Sequence, residues 1–162
     1  MKNLPLQNAV DNQWRETSPA CSLPERALVA FLRLTAAVLF LAALAVVMPF
    51  SWMAAAHQSM GLGDLPDRPI VSYLARSASA LYVSQGIISL FLSFGVRRYQ
   101  PLIRFLAWLA VIFGALMVAV DLAVGMPWFW TLGEGPVVSL MGAFVLFLER
   151  QVRLNLASRQ DA

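Results

Sequence analysis

Five side chains in this 162-residue sequence have the type and placement to carry chemistry: His57, Arg76, Gln85, Asp121 and Glu134. Arg76 directly precedes the uncharged run Ser77–Phe94, and Asp121 comes about one turn before the end of the apolar stretch Leu102–Val124. An isolated charge at the centre of a bilayer costs about 2.5–3.5 kcal/mol on insertion scales, and less near an interface. Two opposite charges at similar depth on neighbouring helices are therefore expected to pair. Such a pair would either lock two helices together or form a proton or anion site opening to one face. An arginine in this position also has a third use, snorkelling to lipid headgroups.

His57 is the sole histidine, close in sequence to Asp64, Asp67 and Arg68. With Tyr73 and Glu134 it would make a small polar cluster on one face of the membrane. A metal site needs about three or four ligands at recognisable spacing, and one histidine among scattered carboxylates does not supply them, so no metal is expected. A catalytic pair of His57 with Asp64 or Glu134 lacks an accompanying nucleophile. Gln85, flanked by Ser84 and Gly86 with Tyr82 and Ser89 one turn away, falls in the middle of an apolar stretch. Buried amides and hydroxyls of this kind bond between helices at about 0.6 kcal/mol each, or line a substrate path.

Other chemistry has no sequence signal. There is no P-loop, GxGxxG, HExxH or GxSxG motif, and one histidine cannot supply both axial ligands of a haem. Cys21 stands alone, which excludes an intrachain disulfide and a CxxC pair. The residues before it, Arg15–Ala20, are polar, whereas a lipoprotein signal is apolar there. No cofactor is predicted.

The elements that must position these residues are membrane-spanning helices. The chain is 59% hydrophobic and 13% charged, with a mean hydropathy of +0.67; soluble domains run nearer 45–50% and about 25%. The net charge is +3, and the basic residues flank apolar segments. That distribution is the signature of membrane topology and argues against nucleic acid as a partner. One domain is expected, a polar arm over 1–22, a four-span region over 23–150 and a polar tail over 151–162. The spans fall at about 30–53, 72–95, 102–124 and 134–149, each long enough to cross about 30 Å of hydrocarbon. Ser22-Leu-Pro-Glu25 has the pattern of a capping box, with Pro24 tolerated in the first turn. Pro49 should kink or end the first helix. Residues 54–69 and 125–135 read as loops. The fold class is all-α, an antiparallel four-helix membrane bundle. Ala110–Gly114 and Ser139–Ala143 have the small-residue spacing that permits close helix approach.

Arginine and lysine set the orientation. With the N-terminus in the cytoplasm, Lys2, Arg15, Arg26, Arg33, Arg97, Arg98, Arg104, Arg150, Arg153 and Arg159 fall on the cytoplasmic side. Only Arg68 and Arg76 fall on the other. The positive-inside rule then puts both termini inside. Trp52, Trp128, Phe129 and Trp130 gather at the outer ends as an aromatic belt. The first twenty-odd residues are polar, so no cleavable signal is expected, and the bacterial inner membrane is the predicted location.

Tyr73–Tyr82, Arg97–Ile103, Asp121–Pro127 and Glu134–Pro136 resemble stretches in small bacterial four-helix membrane proteins of a loosely DoxX-like kind, over residues 27–150 or so. The resemblance implies a four-helix bundle and, through DoxX-type proteins, a link to quinone or thiol redox systems. It assigns no site residue. Three functional readings follow. The leading one is an accessory or scaffold subunit of a membrane complex, with the lipid bilayer and protein partners or a second copy as its contacts. A small oligomeric transporter or channel requires Arg76, Asp121 and Gln85 on one polar track. A DoxX-like redox-associated protein with an outward-facing site requires His57, Arg76, Asp121 and Glu134 in one pocket.

Overall fold

The structure, a computed structural model, describes residues 22–160, and these are helical almost throughout. The expected polar arm, Lys2, Arg15 and Cys21 lie outside the described residues. In chain order the helices are α1 (Leu23–Phe40), α2 (Ala42–Val47), α3 (Phe50–Ser59), α4 (Pro69–Ser93), α5 (Gln100–Val124), α6 (Trp128–Gly133) and α7 (Gly135–Gln160). Three continuous stretches are long and apolar enough to cross a membrane: Leu23–Val47, Gln100–Val124 and Trp128–Ser158. Helix α4 matches them in length at 25 residues. It is less apolar, because Arg76, Gln85 and six serines interrupt it.

Local sequence sets the ends. Helices α1, α4 and α5 each have a proline in the first turn, where its missing N–H has no intrahelical partner to lose. Pro49 stops α2: Met48 before it is extended at ψ 137°, as a residue preceding proline must be. The chain then restarts as α3, so residues 50–59, including His57, are helical where a loop was expected from residue 54. Helix α5 ends at Gly125, whose φ of 79° suits a residue without Cβ. The N–H groups of Gly125 and Met126 both return to the Asp121 carbonyl at 2.9 Å. A short helix occupies the expected second loop, and α7 carries on eleven residues past 149.

The expected capping box does not form. Ser22 makes no side-chain cap bond. Glu25 accepts instead from Arg97, Nε and Nη2 reaching its two carboxylate oxygens at 2.8 Å each. A bidentate charge-assisted pair outcompetes a neutral backbone cap.

Packing divides the long helices into two pairs. Helices α1 and α2 lie along α4, while α5 lies along α7, and α1 joins the pairs by packing on α7. Helices α4 and α5 follow each other in sequence yet touch little beyond their connection. The expectation that they would be packed neighbours is therefore corrected. Small residues explain the choice. A Cβ on Gly142 would lie 2.6 Å from the Ala107 carbonyl oxygen, and one on Gly135 would lie 2.6 Å from that of Gly114. Between α1 and α4, a Cβ on Gly86 would lie 3.3 Å from the Ala36 carbonyl oxygen. Without a hydrophobic drive between helices in lipid, such close backbone approach holds pairs together.

The tightly packed core sits at one end, here the basal end, where α1 begins and α4 finishes. Leu28, Leu32, Leu92, Ile103, Val145 and Leu148 form its centre. Leu34, Val38, Phe105, Ile112, Leu116 and Leu140 point outward and exposed, the inverse of a water-soluble helix bundle and the pattern of a lipid-facing surface.

Candidate functional site

Above the basal core a half-open cavity of about 440 Å³ lies between the two helical pairs. All four long helices line it. That volume falls within the roughly 300–1,000 Å³ of small-molecule sites. Its floor is the core itself, through Leu32, Leu92, Ile103 and Val145. Its sparse contact between α4 and α5 leaves that side of the bundle unclosed.

The lining is apolar apart from Thr35, Tyr82, Gln85, Ser89 and Glu134. Ser89 bonds back to the Gln85 carbonyl at 3.0 Å, which satisfies its hydroxyl within α4. The side chain of Gln85 has no hydrogen-bond partner among the described residues, and the buried Thr35 Oγ1 has none either. Glu134 is the one charged residue on the lining. Its Oε2 accepts from Trp130 Nε1 at 2.7 Å. One buried hydroxyl without a partner, an exposed amide, a phenol and a carboxylate on an apolar wall fit a ligand with an apolar body and a small polar head.

Of the five residues singled out by sequence, Gln85 and Glu134 meet in this cavity. The other three do not. Arg76 is exposed and its Nη2 donates to the Met48 carbonyl at 3.3 Å. That carbonyl stands at the break caused by Pro49, so Arg76 satisfies a helix end. Asp121 is 4% exposed, and its Oδ2 is buried with no hydrogen-bond partner. No ion pair joins it to Arg76 among the described residues; the two belong to different helical pairs. His57 Nδ1 lies 3.0 Å from the Gly63 carbonyl oxygen, the tautomer protonated there donating to it and closing the turn after α3. The single polar track of Arg76, Asp121 and Gln85, and the single pocket of His57, Arg76, Asp121 and Glu134, are therefore both absent from the cavity lining. Among the described residues no three His, Cys, Asp or Glu side chains gather as metal ligands.

Sequence reasoning missed the ionic pairs at the basal end. Besides Glu25–Arg97, Arg104 Nη2 reaches Glu149 Oε1 at 2.6 Å, with the Glu149 side chain 2% exposed. The signal was present in two glutamates placed among the basic residues of that end, read there only as topology. The Trp130–Glu134 contact was also missed, although its spacing of four residues is the helical contact spacing. No family model, curated protein or solved structure matches the chain.

Proposed function

We propose that the chain is a four-span membrane protein, with both termini in the cytoplasm of a bacterial inner membrane, that takes a small, largely apolar molecule from the bilayer into the cleft between its helical pairs. One observation carries the ligand reading: a cavity of about 440 Å³, apolar but for five residues, beside the loosely joined α4 and α5. A molecule dissolved in lipid reaches such a site sideways without crossing an aqueous mouth. The ten basic residues assigned to one side against two on the other support the topology. The polar serines and Gln85 of α4 explain its lower apolarity within a fourth span, since they face a cleft and neighbouring helices in part rather than lipid alone.

Native mass spectrometry of the full chain extracted in mild detergent tests this reading. The wild type is expected to retain a bound small molecule, and Ala110→Trp, which fills the cavity wall, is expected to lose it. The same bound mass above the polypeptide in both, or none in either, would overturn the proposal. A stoichiometric protein partner retained equally by both would favour the accessory-subunit reading instead.

A further inference from the structure

The charge on the cavity wall says more about the ligand than the volume does. Glu134 is alone there: the lining holds no lysine, arginine or histidine, and no ion pair engages Glu134 among the described residues. Trp130 fixes Oε2, and among the described residues no hydrogen bond engages Oε1. A half-buried carboxylate on an apolar wall is less well solvated than one in water and gains from an opposite charge brought to it. The rings of Phe31, Tyr82 and Phe113 line the same space. Their electron-rich faces attract cations. Phe31 is held edge-on to Phe144 with ring centroids 5.0 Å apart, so its orientation is set by packing. An anion would meet repulsion from Glu134 with nothing on the lining to offset it. An uncharged molecule would leave the carboxylate without a counter-charge.

From this we infer that the cleft binds lipophilic monocations, amines or onium ions with an apolar body, the cationic head beside Glu134 and the body against the aromatic and aliphatic wall. The inference rests on the cavity reading above and adds the class of ligand. Glu134 is the selecting residue; Trp130 positions its carboxylate.

Equilibrium binding of tritiated tetraphenylphosphonium to the full chain in lipid nanodiscs tests it, with tetraphenylborate as a probe of similar shape and opposite charge. The wild type is expected to bind the phosphonium saturably and to ignore the borate. Glu134→Gln keeps the size and can still accept from Trp130, so it should fold normally, which its melting temperature checks. It is expected to weaken phosphonium binding by about tenfold or more, and Ala110→Trp is expected to weaken it as well. If Ala110→Trp weakens binding of both ions while Glu134→Gln changes neither, the cavity holds ligands without selecting charge and this inference falls alone. If the phosphonium does not bind saturably, the cation inference falls and the cavity reading stands on the mass-spectrometric result; if it binds but Ala110→Trp leaves its binding unchanged, the cavity reading falls with it.

Discussion

Asp121 and Glu134 are both carboxylates near the end of the bundle away from the core, and their surroundings separate them. Glu134 has one hydrogen-bond donor and an open cavity beside it. Asp121 is enclosed, with a carboxylate oxygen that meets no donor, in the last turn of α5, where the helix dipole also disfavours negative charge. A buried carboxylate without a partner is destabilising. Asp121→Asn is therefore expected to leave the melting temperature of the detergent-solubilised protein unchanged or to raise it by a few degrees, on the order of 1 kcal/mol. A clear fall would mean that Asp121 has a bound partner. Arg76 carries the reverse expectation. Removing it strands the Met48 carbonyl at the Pro49 break, so Arg76→Ala should lower stability by about 1 kcal/mol. Its effect on phosphonium binding should be nil, because Arg76 does not line the cavity. A loss of binding with stability intact would return Arg76 to the site.

At the level of elements, contacts at two ends do different work. Along α5 and α7 the close approach leaves no room for a Cβ at Gly142, which would press on the Ala107 carbonyl at 2.6 Å and on Val111 at 3.0 Å. Gly142→Ala should cost about 1–3 kcal/mol by overpacking, measured as a fall in melting temperature. Gly86→Ala, with nearest approaches of 3.2 and 3.3 Å, should cost less. Equal effects would show that the two helix pairs are equally tight. At the basal end Glu149 depends on Arg104 for its only ion pair among the described residues. Arg104→Met strands a buried carboxylate and is expected to lower the melting temperature by about 5–10 °C. Adding Glu149→Leu should recover most of that loss, because an apolar pair of similar volume tolerates burial. A double variant no more stable than Arg104→Met alone would assign the loss to Arg104 packing.

The whole molecule is closed at one end and divided towards the other. The core at the basal end, flanked by its two ion pairs, ties all four long helices together. The cavity occupies the space above it. The proposed topology puts the closed end at the cytoplasmic face. Single cysteines introduced at Gln58 and Arg98 in a Cys21→Ser background test that placement. A membrane-impermeant maleimide should label the Gln58→Cys protein in cells whose inner membrane is intact and the Arg98→Cys protein only after that membrane is opened. The opposite pattern would invert the protein.

Residue types and their order along the chain were enough for the helical, lipid-solvated character of this protein, for the start of α4 and α5 near their prolines, and for the interruption at Pro49. These are local effects: transfer of apolar runs out of water, a missing N–H, a steric clash one residue upstream. Partner choice was not local. Adjacency in sequence suggested that α4 packs on α5 and that Arg76 meets Asp121. Gly86, Gly114, Gly135 and Gly142 instead let α1 approach α4 and α7 approach α5. That pairing separated Arg76 from Asp121 and gave Arg97 to Glu25 in place of a capping box. It also opened the cleft that brings Gln85 and Glu134 onto one surface. Spacing along a helix fixes which face a side chain occupies. Which faces meet depends on how closely backbones fit, and that was decided only when the four helices packed together.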